Sequence, residues 1–131
     1  MHAMTAAYTL LWQRLRRAAS AALFPRYWMA VIAQEPLRLV LSSDGREVTA
    51  DGTARTIRTA DKQLATFDAV QAIDIVHHPL NPTEHKPEHW SLSLYLGRSQ
   101  RAFVGRSRKL AQAEKCAKLL ATITGKPVRT L

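Results

Sequence analysis

Residues Trp90–Leu96 (WSLSLYL) constrain the fold more tightly than any other stretch of the chain. Trp90, Leu92, Leu94 and Leu96 alternate without a slip against Ser91, Ser93 and Tyr95. Successive side chains of a strand point to opposite faces, so this run predicts one apolar face on a core and one polar face toward water. Such alternation belongs to antiparallel sheets, because parallel strands, covered on both faces, read as unbroken apolar runs. Gly97-Arg98-Ser99 then turns the chain into Arg101–Gly105, where Ala102 and Val104 alternate with Arg101 and Phe103.

The same pattern recurs in shorter form upstream. Leu37–Leu41 sets Leu37, Leu39 and Leu41 against Arg38 and Val40. Asp44-Gly45 and Asp51-Gly52 are strong turn signals; they bracket a strand at Arg46–Thr49 and introduce another at Ala54–Arg58. Leu64–Phe67 follows the turn Ala60-Asp61-Lys62, and Ala69–His77 is rich in β-branched residues. Seven short strands at this spacing predict an antiparallel barrel or sandwich. Residues 26–34 (RYWMAVIAQ) fit either an additional strand or the continuation of a helix.

The chain closes with a helix. Lys109–Thr124 contains no breaker, Ser107 is the expected N-cap, Gly125 stands at the C′ position and Pro127 follows it. Leu110, Ala113, Ala117, Leu120 and Thr124 line one face; Arg108, Gln112, Lys115 and Lys118 line the other, with Leu119 intruding. Cys116, the single cysteine, sits among Leu119, Leu120 and Ile123 and reads as a small buried hydrophobe. One cysteine also excludes an internal disulfide framework.

A second helix is expected ahead of the strands. Tyr8–Phe24 holds no Gly or Pro, and Pro25 stops it. At about 100° per residue, Tyr8, Leu11, Trp12, Leu15, Ala18, Ala19, Ala22 and Leu23 fall in one apolar arc. Arg14, Arg16 and Arg17 lie on the other side. Four roles fit this segment: packing on the chain's own sheet, contact with a partner protein, lying on an anionic membrane surface, or an organelle-targeting leader. Tyr8, Trp12, Arg14, Arg16 and Arg17 are the expected partner or membrane contacts. The three arginines interrupt any secretory signal. Tyr27–Ala33 is far shorter than the ~20 residues a bilayer needs, so the expected location is the cytoplasm, with peripheral membrane contact left open.

Strands followed by one amphipathic helix, from Glu35 onward, resemble the pleckstrin-homology-like superfold. WSLSLYLGRSQRAFVG and the helix ending in TGKPV carry the resemblance. It implies an α+β fold, with residues 35–131 forming a seven-stranded barrel capped by its C-terminal helix and residues 1–34 forming the amphipathic helix and its connection. The tryptophan often found in the terminal helix of eukaryotic members is absent here, so the likeness is to the small bacterial type. It implies a non-catalytic binding or scaffolding module with no catalytic residues to carry over.

Charge narrows the partners. The 131-residue chain carries a net +9, distributed as +4 over residues 1–34, −3 over 35–97 and +8 over 98–131. Two basic ends that meet in the fold would make one face attractive to phosphate, nucleic acid, anionic lipid or an acidic protein. The sharpest candidate is Arg106-Ser107-Arg108-Lys109. Cations at a helix N-terminus oppose its dipole, and an anion bound there would reverse that penalty by meeting free N–H groups and guanidinium donors. His77, His78, His85 and His89 cluster in VHHPLNPTEHKPEHW with Glu84 and Glu88, but Pro87 stands between His85 and His89, and the stretch reads as a solvated loop rather than a metal site. No nucleophile elbow, phosphate loop or dinucleotide fingerprint is present in the sequence. The expectation is a non-enzyme without cofactor or metal. Its partner is an unidentified protein or a second copy of the chain, with an anionic membrane surface as the alternative. Nucleic acid, lacking any recognition motif, is expected to bind only non-specifically and in a salt-sensitive way.

Overall fold

The computed structural model describes residues 26–131, and the turn signals decide where its first sheet doubles back. Asp44 (φ 52°) and Gly45 (φ 78°) both take left-handed backbone, as the central pair of a tightly twisted hairpin requires. They join β2 (Arg38–Ser43) to β3 (Arg46–Asp51). Ahead of them β1 (Met29–Glu35) pairs with β2, and behind them β4 (Thr56–Arg58) and β5 (Gln63–Thr66) continue an antiparallel five-stranded meander in the order β1-β2-β3-β4-β5.

The second sheet is built on the long alternating strand. β7 (His89–Gly97) lies between β6 (Ala72–His78) and β8 (Gln100–Ser107), antiparallel to both. Arg98 (φ 53°) and Ser99 (φ 62°) form the β7–β8 turn. The helix α1 (Leu110–Thr124) follows, and β9 (Val128–Thr130) then pairs parallel with β6 to give the order β8-β7-β6-β9. Gly125 closes α1 in left-handed conformation (φ 73°), with its N–H on Ala121 O at 2.8 Å.

One core fills the space between the sheets and α1. Leu92 and Leu94 of β7, Ile73 and Ile75 of β6, and Leu39, Leu41, Val48 and Ile57 of the first sheet meet Ala113, Cys116, Ala117 and Leu120 of α1. Trp90 and Leu96 pack partly buried at its rim. The fold is thus α+β: two mainly antiparallel sheets with one C-terminal helix. Among the described residues there are nine strands rather than the expected seven. β1 arises from the ambiguous stretch 26–34, whose apolar residues do not alternate, and so sits where the expected domain boundary runs. β9 has only three residues, too few to show a period. The expected amphipathic helix over Tyr8–Phe24 lies outside the described residues. No helix among the described residues is long and apolar enough to cross a membrane.

Candidate interaction surface

The polar face of β7 is not the wet face that alternation predicts. Ser91 and Ser93 are buried, and Asp74 of β6, directly opposite Ser93, is 0% exposed. Two arginines close over it. Arg129 of β9 donates from Nε to Asp74 Oδ1 at 2.7 Å and from Nη2 to Oδ2 at 2.8 Å, while Arg101 of β8 donates from Nε to Oδ2 at 3.1 Å. Burial alone would push the Asp74 carboxyl up, but the hydrogen bonds and charges of Arg129 and Arg101 outweigh it and hold the group below 3.8. The hydrogen bond to Asp74 likewise raises the Arg129 pKa, against the opposing effect of desolvation. Both guanidinium groups also sit against Tyr95, at 4.4 Å (Arg129) and 5.5 Å (Arg101) from its ring centroid. Their side chains remain 40% exposed, so each cation is oriented by the sheet yet open to a partner.

β8 is an edge strand, and side chains from the first sheet occupy its outward backbone groups. Arg46 of β3 donates from Nη2 to Phe103 O at 2.7 Å and lies 5.6 Å from the Phe103 ring centroid. Ser43 of β2 accepts the Arg106 N–H at 3.0 Å and donates to Arg106 O at 3.3 Å. That approach depends on Gly105, where a Cβ would stand 2.7 Å from Ser43 Cβ.

Beside this junction, between the start of β5 and the edge of β8, lies a cleft of about 470 Å³ lined by Arg46, Lys62 and Arg101 together with Leu64 and Phe103. No carboxylate lines it among the described residues. Arg46 and Lys62 also line an adjoining cleft, and it is there that Glu47 and Asp61 stand. Phe103, 44% exposed, adds an apolar wall. The arrangement suits an anionic, partly apolar ligand: Arg46 and Arg101, held against Phe103 and Tyr95, lose little side-chain freedom on binding.

The expected anion corner is distributed differently. Arg106 donates from Nε to Asp44 Oδ2 at 2.6 Å and its guanidinium lies 3.9 Å from the Tyr27 ring centroid. Ser107 is fully buried; it donates to Gln112 Oε1 at 2.5 Å and accepts the Lys109 N–H at 3.0 Å. It belongs to β8 and is not the N-cap, a position held by Lys109 with no side-chain cap. The strand runs two residues further than the periodicity implied, because Ser107 still pairs with Trp90. Arg108 and Lys109 are exposed, with Lys109 Nζ 5.2 Å from the Trp28 ring centroid. The expected contacts Tyr8, Trp12, Arg14, Arg16 and Arg17 lie outside the described residues.

Three of the clustered histidines, His77, His78 and His89, have structural partners. His77 Nε2 lies 2.9 Å from Glu88 Oε2 and its ring stacks on Trp90; His78 Nε2 lies 2.8 Å from Ser91 Oγ and its ring stacks on His89. Burial and the neighbouring His89, His77 and Lys86 lower the His78 pKa. Among the described residues no group of three His, Cys, Asp or Glu is arranged to hold a metal ion. Cys116 is buried in the core, which pushes its thiol up to about 11.

The cluster around Asp74 escaped sequence reasoning, although a signal existed: a lone carboxylate inside a β-branched run has to find cations when the strand is buried. No family model matches the chain, and no curated protein or solved structure matches it.

Proposed function

We propose that this chain is a non-catalytic protein-interaction module of the small bacterial pleckstrin-homology-like type, which engages an acidic protein segment through a basic surface. The observation that carries the reading is the carboxylate-free cleft of Arg46, Lys62 and Arg101 beside exposed Phe103. Single exposed ion pairs contribute little, so useful affinity needs several cations converging with an apolar contact, which this cleft offers. The segment ahead of the described residues adds Arg14, Arg16 and Arg17 to the same chain. The reading includes no catalytic step and no cofactor.

A fluorescein-labelled glutamate-rich peptide, followed by anisotropy, tests it. Lys62→Glu should weaken binding at least roughly tenfold at low salt, and rising salt should weaken the parent in the same direction. Arg108→Ala with Lys109→Ala, at the corner rather than the cleft, should leave it nearly unchanged. Peptide binding indifferent to Lys62→Glu rejects the cleft. Anionic vesicles that bind where the peptide does not would instead favour the alternative, a peripheral membrane module.

A further inference from the structure

Two strand edges border the cleft, and they differ. On the β8 side, Arg46 and Ser43 already hold the Phe103 carbonyl and both backbone groups of Arg106. On the other side β5 ends its sheet, and no strand of that sheet lies beyond it. Phe67 N–H donates to Arg55 O at 2.9 Å. Bonded and non-bonded pairs alternate along an antiparallel ladder, so Ala65 bonds Ile57 likewise, while Thr66 and Thr56 form the non-bonded pair between them. The carbonyls of Leu64 and Thr66 and the N–H of Thr66 therefore point away from β4, toward the open edge. The cleft itself has two environments. Leu64, Leu96 and Ala102 are half-buried and pack on the core, whereas Lys62 and Arg101 are exposed.

We propose that the acidic segment binds as an extended strand added to the free edge of β5, its residues alternating between apolar and acidic. The apolar set rests on Leu64, Leu96 and Ala102; the acidic set turns toward Lys62 and Arg101. The inference rests on the interaction role proposed for the cleft and names how the partner lies in it. Charge supports the occupant: Arg46, Lys62 and Arg101 line the cleft with no carboxylate among the described residues. The backbone supports the mode, because main-chain bonds to an open edge supply affinity and alternate side-chain environments supply choice. The period supports the pattern, since successive side chains of an added strand point to opposite faces. β5 has four residues, so the bonded part of the partner is equally short.

Amide hydrogen exchange, read by NMR on the isotope-labelled full-length chain, tests the mode. The probe is a peptide of alternating Glu and Val; its control holds the same residues as a Glu block followed by a Val block. The alternating peptide at saturation should slow exchange of the Thr66 N–H at least roughly tenfold and bind at least roughly fivefold more tightly than the control. Unchanged Thr66 exchange in the complex, or equal affinity for the two orders, overturns strand addition, and the cleft still stands if Lys62→Glu weakens binding. A Thr66 N–H already protected in the free chain overturns it too, because the edge is then not open. Failure of the alternating, block and glutamate-rich peptides alike to bind removes the interaction role itself, and strand addition with it.

Discussion

Asp74→Asn isolates the electrostatics of the second sheet, because it removes a charge while keeping the size of the side chain. The native carboxylate accepts three hydrogen bonds from two guanidinium groups. Bonds to charged groups contribute about 1.5–3 kcal/mol each when fully buried. Here the arginine side chains are 40% exposed and regain hydration when the carboxylate is lost, so most of that sum is discounted. Asn also keeps one acceptor oxygen but turns an NH₂ toward a cation. The net loss is about 2 kcal/mol at neutral pH, which lowers Tm by roughly 8 °C for a chain of this size. The sign with pH follows from the direction of the shift. A carboxyl held below 3.8 in the folded state stabilises the fold above that value, and the contribution is lost as pH falls through the folded pKa. Thermal unfolding followed by circular dichroism should show the two proteins about 8 °C apart at pH 7, converging as pH falls below 3.8 and through the folded-state pKa. Equal Tm values at pH 7, or a gap that persists unchanged in acid, would refute the reasoning.

Two further outcomes follow from the packing. Gly105→Ala should cost about 1–3 kcal/mol in denaturant unfolding, since its Cβ would fall 2.7 Å from Ser43 Cβ; pairing it with Ser43→Gly should recover part of the loss, and no recovery would place the strain elsewhere. Cys116 in the parent chain should resist maleimide at pH 8 until denaturant is added, as burial and a thiol pKa pushed up to about 11 imply.

What the residues announce, and what they hide, divides along range. Trp90–Leu96 and Lys109–Thr124 declare themselves because their periods are local, and the inward set Leu92, Leu94, Ala113, Ala117 and Leu120 follows directly. β1 is illegible because Met29–Ala33 is an unbroken apolar run, with no alternation to separate strand from helix. The pairing of Asp74 with Arg101 and Arg129 spans 27 and 55 positions, and that of Arg106 with Asp44 spans 62. Nothing in a linear reading says which of many cations a carboxylate will meet. The cleft of Arg46, Lys62 and Arg101 was hidden likewise, since its members come from three strands or strand ends that only the fold brings together.

The manner in which β8 is held has a bearing on crowding. A bare sheet margin offers a ladder on which a neighbouring molecule can extend the sheet, the first step toward fibrils. Here the carbonyl of Phe103 and both backbone groups of Arg106 are already engaged by Arg46 and Ser43, so along that stretch an incoming strand finds no rung. Replacing those two side chains would trade a guarded rim for a sticky one, and their removal should show first as self-association at high concentration rather than as lost binding.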